Sequence, residues 1–463
     1  MSISYQPDLL FVDGRFRSGY ALEVATDGTI ISVGPVTQAR DASPVHRMSG
    51  CALLPGMIDV HSHSFQRALR GKAESRRRSG PDFWSWRNIM YRCALALTPE
   101  EIYDVARMAF LEMALAGITT VGEFHYLHRT PTGAPYDDPN LLAKQVIRAA
   151  ESVGVRITLL RCAYVRAGFG LPPDPGQIRF LEPSVDRFLR DAEALKNEIA
   201  AMPATVSFGV APHSLRAVPR EYLQAISGWT QAQALPLHMH VAEQPAEIEA
   251  CVAEYGATPF KFLDQLGLLT PDFTAIHAIH LQPGEIECMA CGEITVGACP
   301  TTERNLGDGI LCADRLIDAG VAIAFGTDSH TQTDALENAR ELESNLRLQQ
   351  LQRAVLDGKH GESLPALLFD FATRNGARSL HIEAGSLQPG KPADFFTVDL
   401  FDCSIAGSLP EELLTNMVFS MSRRAVRDVA VAGRMILDHG QHAMQGEIVQ
   451  AFREVQLRLG TEL

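Results

Sequence analysis

Eight short apolar runs recur along the middle of this chain, and most of them are separated by segments with helical periodicity. They are residues 53–60, 117–125, 156–163, 206–212, 236–241, 274–280, 294–299 and 321–327. Within each run the apolar residues are continuous rather than alternating, which is typical of parallel strands buried on both faces of a sheet. Eight such strands, each followed by a helix, predict an α/β fold of the (β/α)8 TIM barrel type.

The two ends of the chain have a different pattern. Residues 8 to about 50, and later 393–400 and 426–434, contain short strand-like runs separated by turn residues. We therefore expect both ends to combine into one small β-sandwich domain. The predicted boundaries are residues 1–54 and 385–463 for this composite domain and 55–384 for the barrel.

Composition narrows the choice of partners. The chain has 41 Lys and Arg against 55 Asp and Glu, a formal net charge of −14, which disfavours binding to a nucleic-acid backbone. The N-terminus lacks the pattern of a signal peptide, and no run of about 18 apolar residues occurs. We therefore expect a cytoplasmic protein without nucleic-acid or membrane partners. Nine cysteines without framework spacing suit reduced thiols.

Polar residues end several of the predicted strands. His61 and His63 close the first strand, and two histidines at i and i+2 leave a strand on the same side. His240 ends the fifth strand and Asp328 the eighth. Because the strand ends of such a barrel meet at one mouth, we predict that these four residues hold one divalent metal. Three imidazoles and a carboxylate suit a catalytic zinc with one open position, and iron(II) or manganese are alternatives.

Two further residues are candidates for the chemistry at this mouth. Glu243 lies three residues past His240, close enough to move protons between a water at the metal and a substrate nitrogen. His277 ends the sixth strand and is placed to hydrogen-bond that water or the substrate. We interpret His238 as a core histidine and His280 as peripheral, and the roles of Glu303 and His330 stay open.

The chain resembles members of the amidohydrolase superfamily over essentially its whole length. The resemblance is carried by residues 54–63 (LPGMIDVHSH), residues 389–395 (PGKPADF) and the polar groups that end strands five, six and eight. It implies the same four metal ligands and a proton-shuttle role for Glu243. It also implies that His277 and Asp328 orient and deprotonate the attacking water.

One departure from the family pattern narrows the subclass. Two-metal members carry a carbamylated lysine at the end of strand four, whereas residues 210–216 read VAPHSLR here. A single metal and the deaminase-like branch are therefore favoured. Residues 63–71, 122–128 and 299–309 are similar to the enzymes that convert N-formimidoyl-L-glutamate and water to N-formyl-L-glutamate and ammonia in bacterial histidine breakdown, and this resemblance predicts that reaction.

Two other functions compete with this prediction. A cyclic-amidine deaminase, such as a guanine deaminase, usually has Ser-Asn after its Cys-Pro pair, where this chain has Thr301-Thr302. A metal-free scaffold of the same fold is the remoter alternative, because scaffolds of this kind typically lose their ligands while all four are present here.

A dianionic substrate requires a locally basic mouth in a protein of this net charge. Arg87 and Arg216 are the arginines best placed to bind its carboxylates, since guanidinium matches a carboxylate bidentately. Tyr126 is expected to add a hydroxyl donor, and Gln66 and His213 to hold the formimidoyl and carboxylate ends. We therefore expect a small anionic amidine as the ligand, and a homodimer as the assembly.

Overall fold

The computed structural model of this protein describes residues 2–36, 44–72, 74, 83–182 and 184–460. Five strands begin the chain, namely β1 (Ser2–Val12), β2 (Arg15–Arg17), β3 (Tyr20–Ala25), β4 (Ile30–Pro35) and β5 (Val45–Pro55). β1 lies at their centre, paired in parallel with β5 and antiparallel with β2 and β3. These strands belong to the composite β domain that the turn-rich N-terminal pattern predicts.

The next eight strands form a parallel sheet in sequence order. They are β6 (Met57–Ser62), β7 (Ile118–His125), β8 (Arg156–Ala163), β9 (Val206–Pro212), β10 (Leu237–Val241), β11 (Phe273–His277), β12 (Thr295–Ala298) and β13 (Ala322–Phe325). Nearly every residue in them is buried, which is why their apolar runs are continuous. Each predicted run overlaps one of these strands, so the prediction of the barrel is confirmed.

The first and last barrel strands are joined by the residues that carry the candidate chemistry. The backbone N–H of Asp328 donates to the His61 carbonyl oxygen at 2.9 Å, and that of His63 donates to the Asp328 carbonyl oxygen at 3.1 Å. Behind them, a carboxylate oxygen of Asp59 accepts from the backbone N–H groups of His61 and Thr327, both at 3.1 Å. Closure of the barrel therefore sets the distance between the histidine pair and Asp328.

Fifteen α-helices lie within the described residues. They are α1 (Phe83–Ala96), α2 (Pro99–Ala114), α3 (Leu141–Val153), α4 (Val185–Ile199), α5 (Arg220–Gln233), α6 (Pro245–Tyr255), α7 (Pro259–Gln265), α8 (Glu285–Cys291), α9 (Pro300–Leu306), α10 (Ala313–Asp318), α11 (Ala335–Gln350), α12 (Leu364–Phe371), α13 (Arg374–Ser379), α14 (Pro410–Ser420) and α15 (Gln445–Leu459). None of the helices within the described residues is long and apolar enough to cross a membrane.

The apolar pattern over residues 246–266 predicts one helix, whereas the structure has two, α6 and α7. Gly256 adopts a left-handed φ of 71° at the end of α6, and Pro259 occupies the first turn of α7. A left-handed glycine ends a helix and a proline starts one. These two residues therefore divide the apolar pattern into two helices.

Three strands from the C-terminal part return to the first sheet. They are β14 (Phe395–Asp399), β15 (Val426–Val431) and β16 (Arg434–Leu437), and the strand order is β16-β15-β14-β5-β1-β3-β4 with β2 beside β1. β14 pairs antiparallel with β5 from Phe395–Pro55 to Asp399–Cys51. The prediction that both chain ends combine in one β domain is confirmed.

A buried ion pair links this sheet to the barrel. The Arg156 guanidinium of β8 donates to both carboxylate oxygens of Asp394, at 2.9 and 3.1 Å. Asp394 belongs to the 389–395 motif, and it also accepts from the backbone N–H of Ala432 at 2.6 Å. The acidic residue of that motif therefore has a structural function, away from the mouth of the barrel.

Candidate metal centre and substrate cavity

The four predicted metal ligands meet at the carboxyl ends of the barrel strands. All four are buried, and one ligand atom from each lies within 4.8 Å of the others. Nε2 of His240 is 3.1 Å from Nε2 of His61 and 3.4 Å from Nε2 of His63. Oδ1 of Asp328 is 3.4 Å from Nε2 of His61 and 3.3 Å from Nε2 of His63.

The hydrogen bonds behind two of the imidazoles show that this cluster fits a cation. Nδ1 of His63 donates to the Phe124 carbonyl oxygen and Nδ1 of His240 to the His213 carbonyl oxygen, both at 2.9 Å. Burial lowers the pKa of His63 and His240, so each neutral ring presents a bare Nε2 lone pair. Ligands about 2.05 Å from a tetrahedral zinc lie about 3.3 Å apart, which matches the observed spacing.

The turn that carries the histidine pair is held from behind by Glu123 of β7. One of its carboxylate oxygens accepts from the Ser62 hydroxyl at 2.5 Å, and the other from the backbone N–H and hydroxyl of Ser64 at 2.8 and 2.6 Å. The Ser62 hydroxyl also lies 2.9 Å from Nε2 of His330. Ser62 lies between the two histidine ligands, so this buried network fixes their backbone.

His277 lies beside the cluster, between three carboxylates. Its Nε2 is 3.9 Å from Oδ2 of Asp328 and 4.0 Å from Oε1 of Glu243, and its Nδ1 is 3.2 Å from Oε1 of Glu303. Burial alone would lower the pKa of His277, but the three carboxylates outweigh it and raise the pKa to about 10. Because its pKa is raised, the imidazole is a hydrogen-bond donor toward the mouth. A cation at the neighbouring cluster would oppose part of this rise.

The backbone at the site is unusual at the same residues. His277 and Asp328 have φ values of 74° and 48°, and Ala242, next to Glu243, has a φ of 56°. Residues other than glycine rarely adopt this left-handed region, and such residues concentrate at active sites. These sharp turns at the strand ends aim the side chains of His277 and Asp328 across the mouth.

Glu303 of α9, whose role the sequence left open, contacts His277 from the side away from the cluster. Its Oε1 accepts from the backbone N–H of Cys299 at 2.9 Å and faces Nδ1 of His277. We expect Glu303→Gln to lower kcat by about tenfold or more at unchanged metal content, because a neutral amide supports the His277 imidazolium less well. Steady-state kinetics with metal analysis would check this, with Glu287→Gln, an exposed residue of α8, as the control.

All five predicted substrate-binding residues line one cavity above the metal cluster. Its lining consists of His63, Gln66, Trp86, Arg87, Met90, Tyr91, Tyr126, Tyr164, Phe180, His213, Arg216, His240, Glu243, His277, Leu306 and Asp328. Gln66 Nε2 donates to the Tyr126 hydroxyl at 2.7 Å, and Gln66 Oε1 is a buried acceptor without a partner among the described residues. Nε of Arg216 is likewise a buried donor without one.

A second cavity of about 420 Å³ lies beside the first. Both cavities are lined by Arg87, Tyr91 and Arg216. The two arginines are only 6% and 9% exposed, so buried positive charge lies where the two cavities meet.

Two further histidines, His238 and His280, do not line the cavity. Nε2 of His238 hydrogen-bonds the Ser379 carbonyl oxygen at 2.9 Å in the barrel core, and Nε2 of His280 bonds the Asp308 carbonyl oxygen at 2.8 Å. Tyr164 is a cavity residue that the sequence analysis missed. It follows β8 as Tyr126 follows β7, so the rule that selected Tyr126 would also have found it.

Comparison with known proteins places the chain in a family. Residues 52–436 match the family model described as "Amidohydrolase family". The chain therefore belongs to the amidohydrolase family, as its motifs predict, and it is a hydrolase that acts on carbon–nitrogen bonds. It is similar to a formimidoylglutamate deiminase from Pseudomonas aeruginosa, at 36% identity over 98% of this chain and 99% of the relative.

Two further comparisons show the range of similar proteins. A 5-methylthioadenosine/S-adenosylhomocysteine deaminase from Syntrophomonas wolfei is 28% identical over 84% of this chain and 81% of its own length. The crystal structure of an amidohydrolase from Brucella melitensis superposes with a TM-score of 0.91 at 33% identity, covering 98% of this chain and 99% of that one. The similar proteins thus include deaminases of more than one substrate class.

Proposed function

We propose that this protein hydrolyses N-formimidoyl-L-glutamate to N-formyl-L-glutamate and ammonia with one zinc ion held by His61, His63, His240 and Asp328. The observation that carries the proposal is the pair of buried arginines, Arg87 and Arg216, in the cavity above a cluster with ligands for a single metal. The similarity to the Pseudomonas aeruginosa formimidoylglutamate deiminase supports the same substrate. Nitrogen ligands and one carboxylate suit zinc, with iron(II) as the alternative.

The chain's own residues supply the proton transfers. A zinc ion in this position would lower the pKa of a water molecule toward neutrality. Asp328 and His277 orient the water that adds to the formimidoyl carbon, and Asp328 accepts its proton. Glu243 lines the same cavity and relays to the terminal nitrogen the two protons that leave the water oxygen, so that this nitrogen departs as ammonia when the carbon–nitrogen bond breaks. The carbon gains oxygen and loses ammonia, so the product is the formyl amide.

The cavity offers complementary groups to both ends of the substrate. The unpartnered Oε1 of Gln66 accepts an N–H of the amidine, while Arg87 and Arg216 bind the carboxylates. Tyr126 and His213 lie between these two ends and add polar contacts. Burial, with Arg216 nearby, lowers the pKa of His213 well below its usual value, so His213 remains neutral beside the arginines.

A neutral purine brings no carboxylate to the two cavity arginines. A substrate carboxylate adds charge-assisted, bidentate hydrogen bonds to each guanidinium it pairs with. This difference in contacts favours a dianionic linear amidine over guanine. It also favours such an amidine over a nucleoside like that in the name of the Syntrophomonas wolfei relative.

We expect the purified protein to release ammonia from N-formimidoyl-L-glutamate with a kcat/KM at least about 100-fold higher than from guanine or adenosine, because two charge-assisted contacts are absent from the purines. A coupled ammonia assay across these substrates and N-formimidoyl-L-aspartate checks the proposal. Faster turnover of a purine would contradict the proposal and would indicate a cyclic-amidine deaminase instead.

The arginines provide an independent check. Arg87→Met and Arg216→Met should each lower kcat/KM for N-formimidoyl-L-glutamate by at least about tenfold, or about 1.4 kcal/mol, at unchanged metal content. Arg216→Lys should also lose efficiency, since lysine does not bind a carboxylate bidentately. Arg190→Met on the exposed face of α4 is the control. Wild-type efficiency in both cavity variants would exclude recognition of a dianion.

A further inference from the structure

The hydroxyl group of Tyr164 is surrounded by hydrogen-bond donors. Tyr164 is 2% exposed and lines the cavity above the metal cluster. Its oxygen accepts from Nη2 of Arg87 and from Nε2 of Gln177, both at 2.9 Å. Its ring packs edge-on against His213, with 4.5 Å between the ring centres. Tyr164 therefore contacts two of the residues proposed to bind the substrate.

The orientation of the Gln177 side-chain amide is determined by its surroundings. Gln177 lies in the 3-10 turn Pro175–Gln177, and its Oε1 accepts from the backbone N–H of Asp174 at 3.2 Å. The amide nitrogen must then point the other way, where it donates to the Tyr91 hydroxyl at 2.7 Å as well as to Tyr164. Gln177 is 1% exposed, so it is a buried donor to both tyrosines.

The positions of these donors bear on the role of the Tyr164 proton. A phenol oxygen has two acceptor lone pairs and one proton, and Arg87 and Gln177 occupy both lone pairs. The hydroxyl therefore keeps its own proton to donate, and Tyr164 lines the cavity above the metal cluster.

We propose that the Tyr164 hydroxyl donates a hydrogen bond to the substrate carboxylate that Arg87 binds, and that Gln177 is the positioning residue that fixes the hydroxyl for it. The inference rests on the proposed function, because it requires a carboxylate-bearing substrate. A guanidinium and a phenol that share one carboxylate form two charge-assisted hydrogen bonds with defined angles. Tyr164 is then a specificity-determining residue for anionic amidines.

Tyr164→Phe tests the proposal, because it removes the hydroxyl and keeps the ring. We expect KM for N-formimidoyl-L-glutamate to rise about tenfold, with kcat within about twofold of wild type and metal content unchanged. Glutarate, a dicarboxylate without an amidine, should bind about tenfold more weakly by isothermal titration calorimetry. The matched control is Tyr222→Phe, whose lost hydroxyl donates to the Glu182 carbonyl oxygen at 2.7 Å outside the cavity lining.

Gln177→Met distinguishes positioning from direct contact. We expect it to raise KM in the same direction as Tyr164→Phe, and we expect the double variant to be no worse than the worse single variant, because both act through one hydroxyl. Additive effects would overturn the role of Gln177. If Tyr164→Phe binds glutarate like wild type, or lowers thermal stability without raising KM, which is the most that we expect of Tyr222→Phe, the role of Tyr164 is overturned.

The same measurements separate this inference from the function on which it rests. Wild-type protein that neither turns over N-formimidoyl-L-glutamate nor binds glutarate would contradict both proposals. Wild-type protein that does both, next to a Tyr164→Phe variant with unchanged KM, would contradict only the inference about Tyr164.

Discussion

Replacing His240 or Asp328 by alanine should remove the bound metal ion and abolish turnover. Each residue supplies one of the four ligand atoms that lie within 4.8 Å of one another, and each is buried, His240 at the end of β10 and Asp328 where the barrel closes. A centre that keeps one position open for water has no spare protein ligand. Because loss of a group that only supports a ligand already costs about 10–100-fold in metal affinity, loss of a ligand should cost more than about 100-fold.

Metal analysis of the purified variants, followed by kinetics with added zinc or iron(II), measures this effect. His280→Ala is the matched control, since that half-buried histidine hydrogen-bonds a carbonyl oxygen and contributes nothing to the cluster. Stoichiometric metal and normal turnover in His240→Ala or Asp328→Ala would refute the ligand assignment. Restored activity with one of the two added metals would identify the ion that the centre uses.

Glu243→Gln should retain the metal and the substrate but lower kcat by about 10²-fold or more. The Glu243 carboxylate lines the cavity beside His277 and is 7% exposed. Its backbone N–H is fixed by Oε2 of Glu247 at 3.1 Å, so the substitution should leave the loop in place. Glutamine has nearly the same shape but cannot accept and return a proton, and a positioned general acid–base typically contributes about 10²–10⁴-fold.

Single-turnover kinetics and a binding measurement with glutarate distinguish the lost chemistry from lost binding. Glu249→Gln, exposed on α6, the helix that follows Glu243, provides a control. Turnover near wild type in Glu243→Gln would assign the proton transfer to another group in the cavity, whereas loss of metal would make Glu243 part of the metal centre.

The amino-acid sequence by itself determined the barrel and the metal cluster. Continuous apolar runs reflect strands buried on both faces, and this burial is a local property that each run displays on its own. His61 and His63 close such a run, and His240 and Asp328 lie at or next to the ends of two others. Once parallel strands close into a barrel, residues at their carboxyl ends must converge. The cluster therefore followed from local pattern combined with one rule of topology.

The outer part of the site was decided by the tertiary structure. The sequence pattern did not indicate that Glu303 would face His277, or that Gln177 would lie between Tyr91 and Tyr164. These contacts join a helix, a 3-10 turn and strand ends whose approach depends on packing and chain closure rather than on periodicity. The same holds for the 53–60 run, which is one apolar segment in sequence but divides at Gly56 between two sheets.

Gly56 shows the physical reason for this limit. A Cβ at this position would lie 2.1 Å from the hydroxyl oxygen of Thr119, a residue 63 positions away in the chain. Side-chain periodicity records which face of an element is buried, but not which distant residue lies against that face. Strands and their polar ends are therefore determined locally, whereas hydrogen-bond partners and cavity walls are determined only when the elements pack.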